Sequence, residues 1–124
     1  MAAPLVIFLS HGTWADRYQA TTLAVTAAAF GDPVTLALFF EPLRLWAAGR
    51  FDEGAPPEAA AARVGSLREM LEEARRDLGL RVVACDTAVR LAGQEPDGAR
   101  ACLDGIETLP ALWKAARAGR FLAA

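Results

Sequence analysis

Three short apolar runs, Pro4 to Ser10, Val34 to Phe40 and Leu80 to Cys85, constrain this chain more than any other feature. None alternates with polar residues, so each fits a strand covered on both faces rather than one lying half in water. Between the first two, Ala20, Leu23, Ala24, Ala27 and Ala28 recur at i, i+3, i+4, i+7 and i+8. That spacing predicts one apolar helical face, ending at the Gly31-Asp32-Pro33 turn. Strand, helix and strand in such close succession predict a right-handed βαβ unit with parallel pairing. The expected architecture is a three-layer α/β/α sandwich around a central, mostly parallel sheet, with Leu5 to Leu9 as an interior strand.

Between Glu41 and Arg63 the periodicity loosens: Pro42 to Ala48 suits a short helix, and Phe51 to Pro57 is punctuated like a mobile surface loop. Helical character returns at Glu58, and Leu67, Met70, Leu71, Ala74 and Leu78 mark a face that stops at Gly79. After the third strand, Asp86 or Thr87 caps a short helix running towards Gly93, and Gln94 to Gly98 reads as loop. In the last quarter, Leu103 to Thr108 suits a short strand, Leu109, Leu112, Trp113 and Ala116 suit one helix face, and Phe121 to Ala124 suits a terminal strand. At 124 residues, 1–124 is expected to be a single domain with a core of its own.

Composition narrows the function. A formal net charge of −2, with no stripe of Lys or Arg, lacks the basic excess that phosphate backbones select, so nucleic acid is not an expected partner. No apolar block approaches the roughly 18 to 20 residues of a membrane span. The N-terminal run has no basic segment and no recognisable cleavage site, so it reads as a strand rather than a signal peptide, and a cytoplasmic location is expected. One His and two Cys are too few for a closed zinc site and do not indicate a disulfide framework. The chain contains no G-x-x-x-x-G-K-[ST], G-x-G-x-x-G, G-x-S-x-G or C-x-x-C sequence, so no cofactor is implied. Glu69, Glu72 and Glu73 intermingle with Arg68, Arg75 and Arg76 at helical spacing, the pattern of a solvated face.

In open parallel sheets, sites form beyond the carboxyl ends of the strands. Ser10-His11-Gly12-Thr13, Phe39-Phe40-Glu41 and Cys85-Asp86-Thr87 all end there. Cys85 stands out because a thiol at a helix start feels the positive end of the helix dipole, which favours a nucleophilic thiolate. Asp86 opposes this, and the alternative is a small buried apolar residue. His11, after the first strand, is a candidate proton donor, base or hydrogen-bonding partner, or else a residue that fixes its loop. Cys102 borders an apolar stretch and reads as core. Trp14, Tyr18, Trp46 and Phe51 are candidates to line a pocket or a subunit interface, and on that ground a homo-oligomer is expected.

Taken together, strand Leu5 to Ser10, the His11-Gly12 turn, the Tyr18 to Ala29 helix, the Gly31 to Val34 turn, the Phe39 to Leu43 strand end and the Val83-Ala84-Cys85 junction carry a resemblance. Over roughly residues 4–106 the chain resembles the DsrE/DsrF-like family of sulfur-relay proteins. Gly93, eight residues after Cys85, also fits that pattern. The resemblance implies a five-stranded parallel sheet, assembly into oligomers, and a cysteine that carries a persulfide, a position matched here only by Cys85. It departs from the subgroup with Ser and Met after the cysteine, since Asp86, Thr87, Ala88 and Val89 follow. Sulfur carriage or transfer between donor and acceptor proteins is therefore the expected function. The alternative is a non-enzymatic oligomeric module of the same fold that binds a small ligand or a protein.

Overall fold

A computed structural model describes residues 3–124. The elements run β1 (Leu5–Leu9), α1 (Trp14–Ala29), β2 (Val34–Leu38), α2 (Phe40–Ala47), α3 (Pro57–Ala61), α4 (Leu67–Asp77), β3 (Arg81–Cys85), α5 (Asp86–Leu91), α6 (Pro96–Cys102), β4 (Gly105–Glu107), α7 (Leu109–Arg117) and β5 (Arg120–Ala123). The strands form one sheet in the order β4-β3-β2-β1-β5, and every pairing is parallel. The expected α/β sandwich is therefore present, with β1 interior between β2 and β5.

The first three steps across the sheet move in one direction, and the last returns past β1. Right-handed crossovers then place α7 on the face opposite α1. Side-chain positions agree. Leu5 and Leu122 lie with Leu23 and Ala27 of α1, whereas Phe8 and Phe121 lie with Leu109 and Trp113 of α7. The α1 face is the better sealed: α1 packs beside α4, over Ile7, Leu9, Leu36, Leu38, Val82 and Ala84, all fully buried. Burying side chains of this size stabilises by roughly 1.5 to 3 kcal/mol each before entropy is counted.

Local chemistry explains the boundaries. Thr13, Ser66 and Thr108 each accept a hydrogen bond from the backbone N–H three residues on, capping α1, α4 and α7. Gly119 lies where β5 closes against β1: a Cβ there would stand 2.1 Å from the Pro4 carbonyl oxygen.

Two expectations are corrected. Gln94 to Gly98 is not all loop, because α6 begins at Pro96, whose fixed φ suits the first turn of a helix. The excursion after α2 is not a free loop either. Trp46 and Phe51 are fully buried with rings 5.3 Å apart, and Arg17 of α1 holds the segment through the Phe51 and Glu53 carbonyls. These two aromatic residues form core, so they are not available to an interface.

Candidate functional site

Cys85 is the last residue of β3 and the N-cap of α5. Register places it on the same sheet face as Val83, Ala37 and Phe8, the face that α7 covers only in part. The result is a cleft of about 250 Å³ lined by Phe39, Phe40, Cys85, Thr87, Ala88, Leu91 and Leu109. Its base is nearly closed, since Cys85 is 5% exposed, but its rim is apolar and open, with Phe40 at 47%, Leu109 at 52% and Leu91 at 65%.

The polar surroundings of the thiol are acidic. Cys85 Sγ lies 3.9 Å from Asp86 Oδ1, and Glu107 is its register partner on β4. Each carboxylate has an arginine nearby: Arg90 at 3.7 Å from Asp86 and Arg81 at 3.8 Å from Glu107. The side chain of Cys85 makes no capping hydrogen bond to α5, and the Thr87 N–H goes instead to Asp86 Oδ1 at 2.8 Å. One backbone donor that could hold a thiolate, the Thr87 N–H, is thus directed to the neighbouring carboxylate.

The sequence placed Phe40 at this edge of the sheet but did not reveal its backbone conformation. It has φ of 49°, in the left-handed region, at the junction of β2 and α2. A bulky residue there costs on the order of 1 to 3 kcal/mol, a cost found mainly where the surroundings fix the conformation. The visible signal was Phe39-Phe40 before Glu41-Pro42, two large aromatic residues at a strand end. Leu91 and Leu109 gave no comparable signal, because a lone leucine on a short helix reads as core.

His11 is exposed and follows β1, with β2 between it and β3. Adjacent strands are about 4.8 Å apart, so the backbones at His11 and Cys85 are separated by roughly 10 Å. His11 does not line the cleft that holds Cys85. Its neighbourhood is instead set by packing. Glu41 closes over Gly12, where a Cβ would meet Glu41 Cβ at 2.6 Å, and Arg17, itself buried, donates from Nε to the Gly12 carbonyl at 3.2 Å. Burial pulls the Arg17 guanidinium below its ordinary value, against the raising influence of Asp52, Glu53 and Glu41.

Cys102 is partly buried, and its Sγ donates to the Ala99 carbonyl at 3.3 Å. Burial pushes its thiol up. Among the described residues, no group of three or more His, Cys, Asp or Glu is arranged to hold a metal ion, and no helix is long and apolar enough to cross a membrane.

Fold and site together define a parallel-sheet α/β protein with a cysteine at the base of an apolar cleft. Compared with protein-family models and with curated proteins, the chain matches none.

Proposed function

We propose that the chain is a sulfur carrier of the DsrE/DsrF-like kind, working in a reducing, cytoplasmic setting. Cys85 thiolate attacks the outer sulfur of a donor protein's persulfide. The donor S–S bond breaks, its electron pair and a proton restore the donor thiol, and Cys85 holds the persulfide until an acceptor cysteine thiolate repeats the exchange. The observation that carries this reading is the placement of Cys85 at the carboxyl end of β3, at the floor of an open-rimmed cleft. The apolar rim excludes water from a bound donor and gives a partner's apolar side chains a seat.

His11 stands outside this cleft, so it is given no contact with the Cys85 sulfur in this proposal. Self-association belongs to the same reading. With Trp46 and Phe51 in the core, the surface it would use is the rim of Phe40 and Leu91.

A second reading, a ligand- or protein-binding module without sulfur chemistry, is favoured by one observation: no backbone donor from α5 reaches the Cys85 side chain. Intact-protein mass spectrometry after exposure to a persulfide donor separates the two. The sulfur-carrier reading expects a gain of one sulfur atom that survives Cys102→Ser and vanishes in Cys85→Ser. An adduct on Cys102, or none on the folded protein, leaves the binding module as the better account.

A further inference from the structure

The edge of the sheet formed by β5 has chemistry of its own. The Arg120 and Ala124 N–H groups turn inward to the Pro4 and Phe8 carbonyls, at 2.9 and 2.8 Å. Backbone groups alternate along a strand, so those of Phe121 and Ala123 face outward, as an unfilled half-ladder. All four residues of β5 are exposed, Phe121 at 49% and Leu122 at 42%.

Beside this edge, on the α7 face, is a second cavity of about 320 Å³, lined only by apolar residues: Phe8, Leu109, Trp113, Phe121 and Ala123. Trp113 and Phe121 meet edge to face, with ring centroids 5.2 Å apart, and define one wall. The segment that forms this edge and the helix before it is basic. From Thr108 to Ala124 the chain carries Lys114, Arg117 and Arg120 and no Asp or Glu, although the whole chain has a net charge of −2. Arg117 is one helical turn beyond Trp113, on the same flank of α7. Arg120 has Asp32 at 2.7 Å, whereas Lys114 and Arg117 make no ion pair among the described residues.

We propose that this edge takes up an extended acidic segment of another protein as a sixth strand. Main-chain bonds form to Phe121 and Ala123, an apolar side chain of the segment enters the cavity beside Trp113, and its carboxylates lie against Arg117 and Lys114. Charge selects this occupant. A second copy of the chain, docked β5 to β5 about a two-fold axis, brings two basic rims together and is opposed by the same charges. The inference does not depend on the chemistry assigned to Cys85.

The test uses two blocked heptapeptides with Phe at the centre and Thr elsewhere, one with Glu and one with Lys at the positions two residues to either side of the Phe, which share its face of the strand, titrated into the protein at low salt. Amide hydrogen exchange and chemical shifts at Phe121 and Ala123 are followed. The Glu peptide is expected to slow exchange at these two amides and to bind at least about tenfold more tightly than the Lys peptide. The exposed double variant Lys114→Glu, Arg117→Glu is expected to reverse that preference. Equal affinity for both peptides, binding that leaves the two amides unchanged, or no binding at millimolar peptide overturns the proposal. Protection of those amides in the peptide-free protein, accompanied by a dimer mass, overturns it in favour of a second copy.

Discussion

Trp46 donates its indole N–H to the backbone carbonyl of Cys102 at 2.8 Å, tying the end of α2 to the end of α6 across 56 residues of sequence. The ring is held in the same cluster, with the Arg68 guanidinium 4.4 Å from its centroid and the Phe51 ring edge-on at 5.3 Å. Trp46→Phe keeps most of the apolar contact but removes the donor. We expect it to cost about 1 to 3 kcal/mol, measured by urea denaturation. A variant as stable as the parent would show that the Arg75 Nη1 donor, 3.4 Å from the same carbonyl, satisfies it alone.

Arg17 holds three backbone carbonyls from two segments, those of Gly12, Phe51 and Glu53. A lysine is a single point donor and leaves at least one of these carbonyls without its partner. Arg17→Lys is therefore expected to lose about 2 to 4 kcal/mol, with hydrogen exchange accelerated first in residues 49–55. Uniform acceleration across the sheet would contradict a local staple.

Gly12 accepts no side chain without displacing Glu41, whose Cβ and Cγ would lie 2.6 and 2.7 Å from the new methyl. Gly12→Ala should cost on the order of 1 to 3 kcal/mol and shift backbone resonances at both the His11 and Phe40 loops. Glu41→Ala leaves the same Cβ in place, so in combination it is expected to rescue only the part due to Cγ.

Cys102 gives the chain an alkaline sensitivity. Burial pushes its thiol above the ordinary range in the folded state, so at high pH the unfolded chain loses this proton first. The stability linked to it is complete below the ordinary thiol range and declines as pH rises through and beyond it. Cys102→Ala is expected to flatten the fall in denaturation midpoint as pH rises through and beyond the ordinary thiol range, relative to the parent. An unchanged slope would place the alkaline loss elsewhere.

The elements with continuous apolar runs were legible because their burial is two-sided. Leu5 to Leu9, Val34 to Leu38 and Val82 to Cys85 have no polar face to present, so only the middle of a parallel sheet accommodates them. The same logic placed α1 and α4 as helices, but their expected faces are corrected: Leu23 and Leu78 are exposed, and α1 buries Arg17 and Thr21 beside Ala20, Ala24 and Ala28. It failed at α6, where Pro96, Asp97 and Gly98 read as turn residues one by one, while as a segment Pro96 starts a helix whose Ala99 is buried.

For the site, sequence by itself determined that Cys85 ends a strand at the carboxyl edge of the sheet, because strand length is a local property; the cap was misplaced, since Cys85 and not Asp86 or Thr87 is the N-cap of α5. Only the tertiary structure decided the company Cys85 keeps. Strand order put β2 between it and His11, and the direction of the last crossover brought Leu109 to its rim. The same crossover left β5 bare beside a basic flank. Trp46 and Phe51, indistinguishable in sequence from surface aromatics, are core through distant partners: Arg17 holds the Phe51 and Glu53 carbonyls, and Trp46 bonds the Cys102 carbonyl. Such pairings depend on contacts between residues far apart in the chain, which local pattern does not encode.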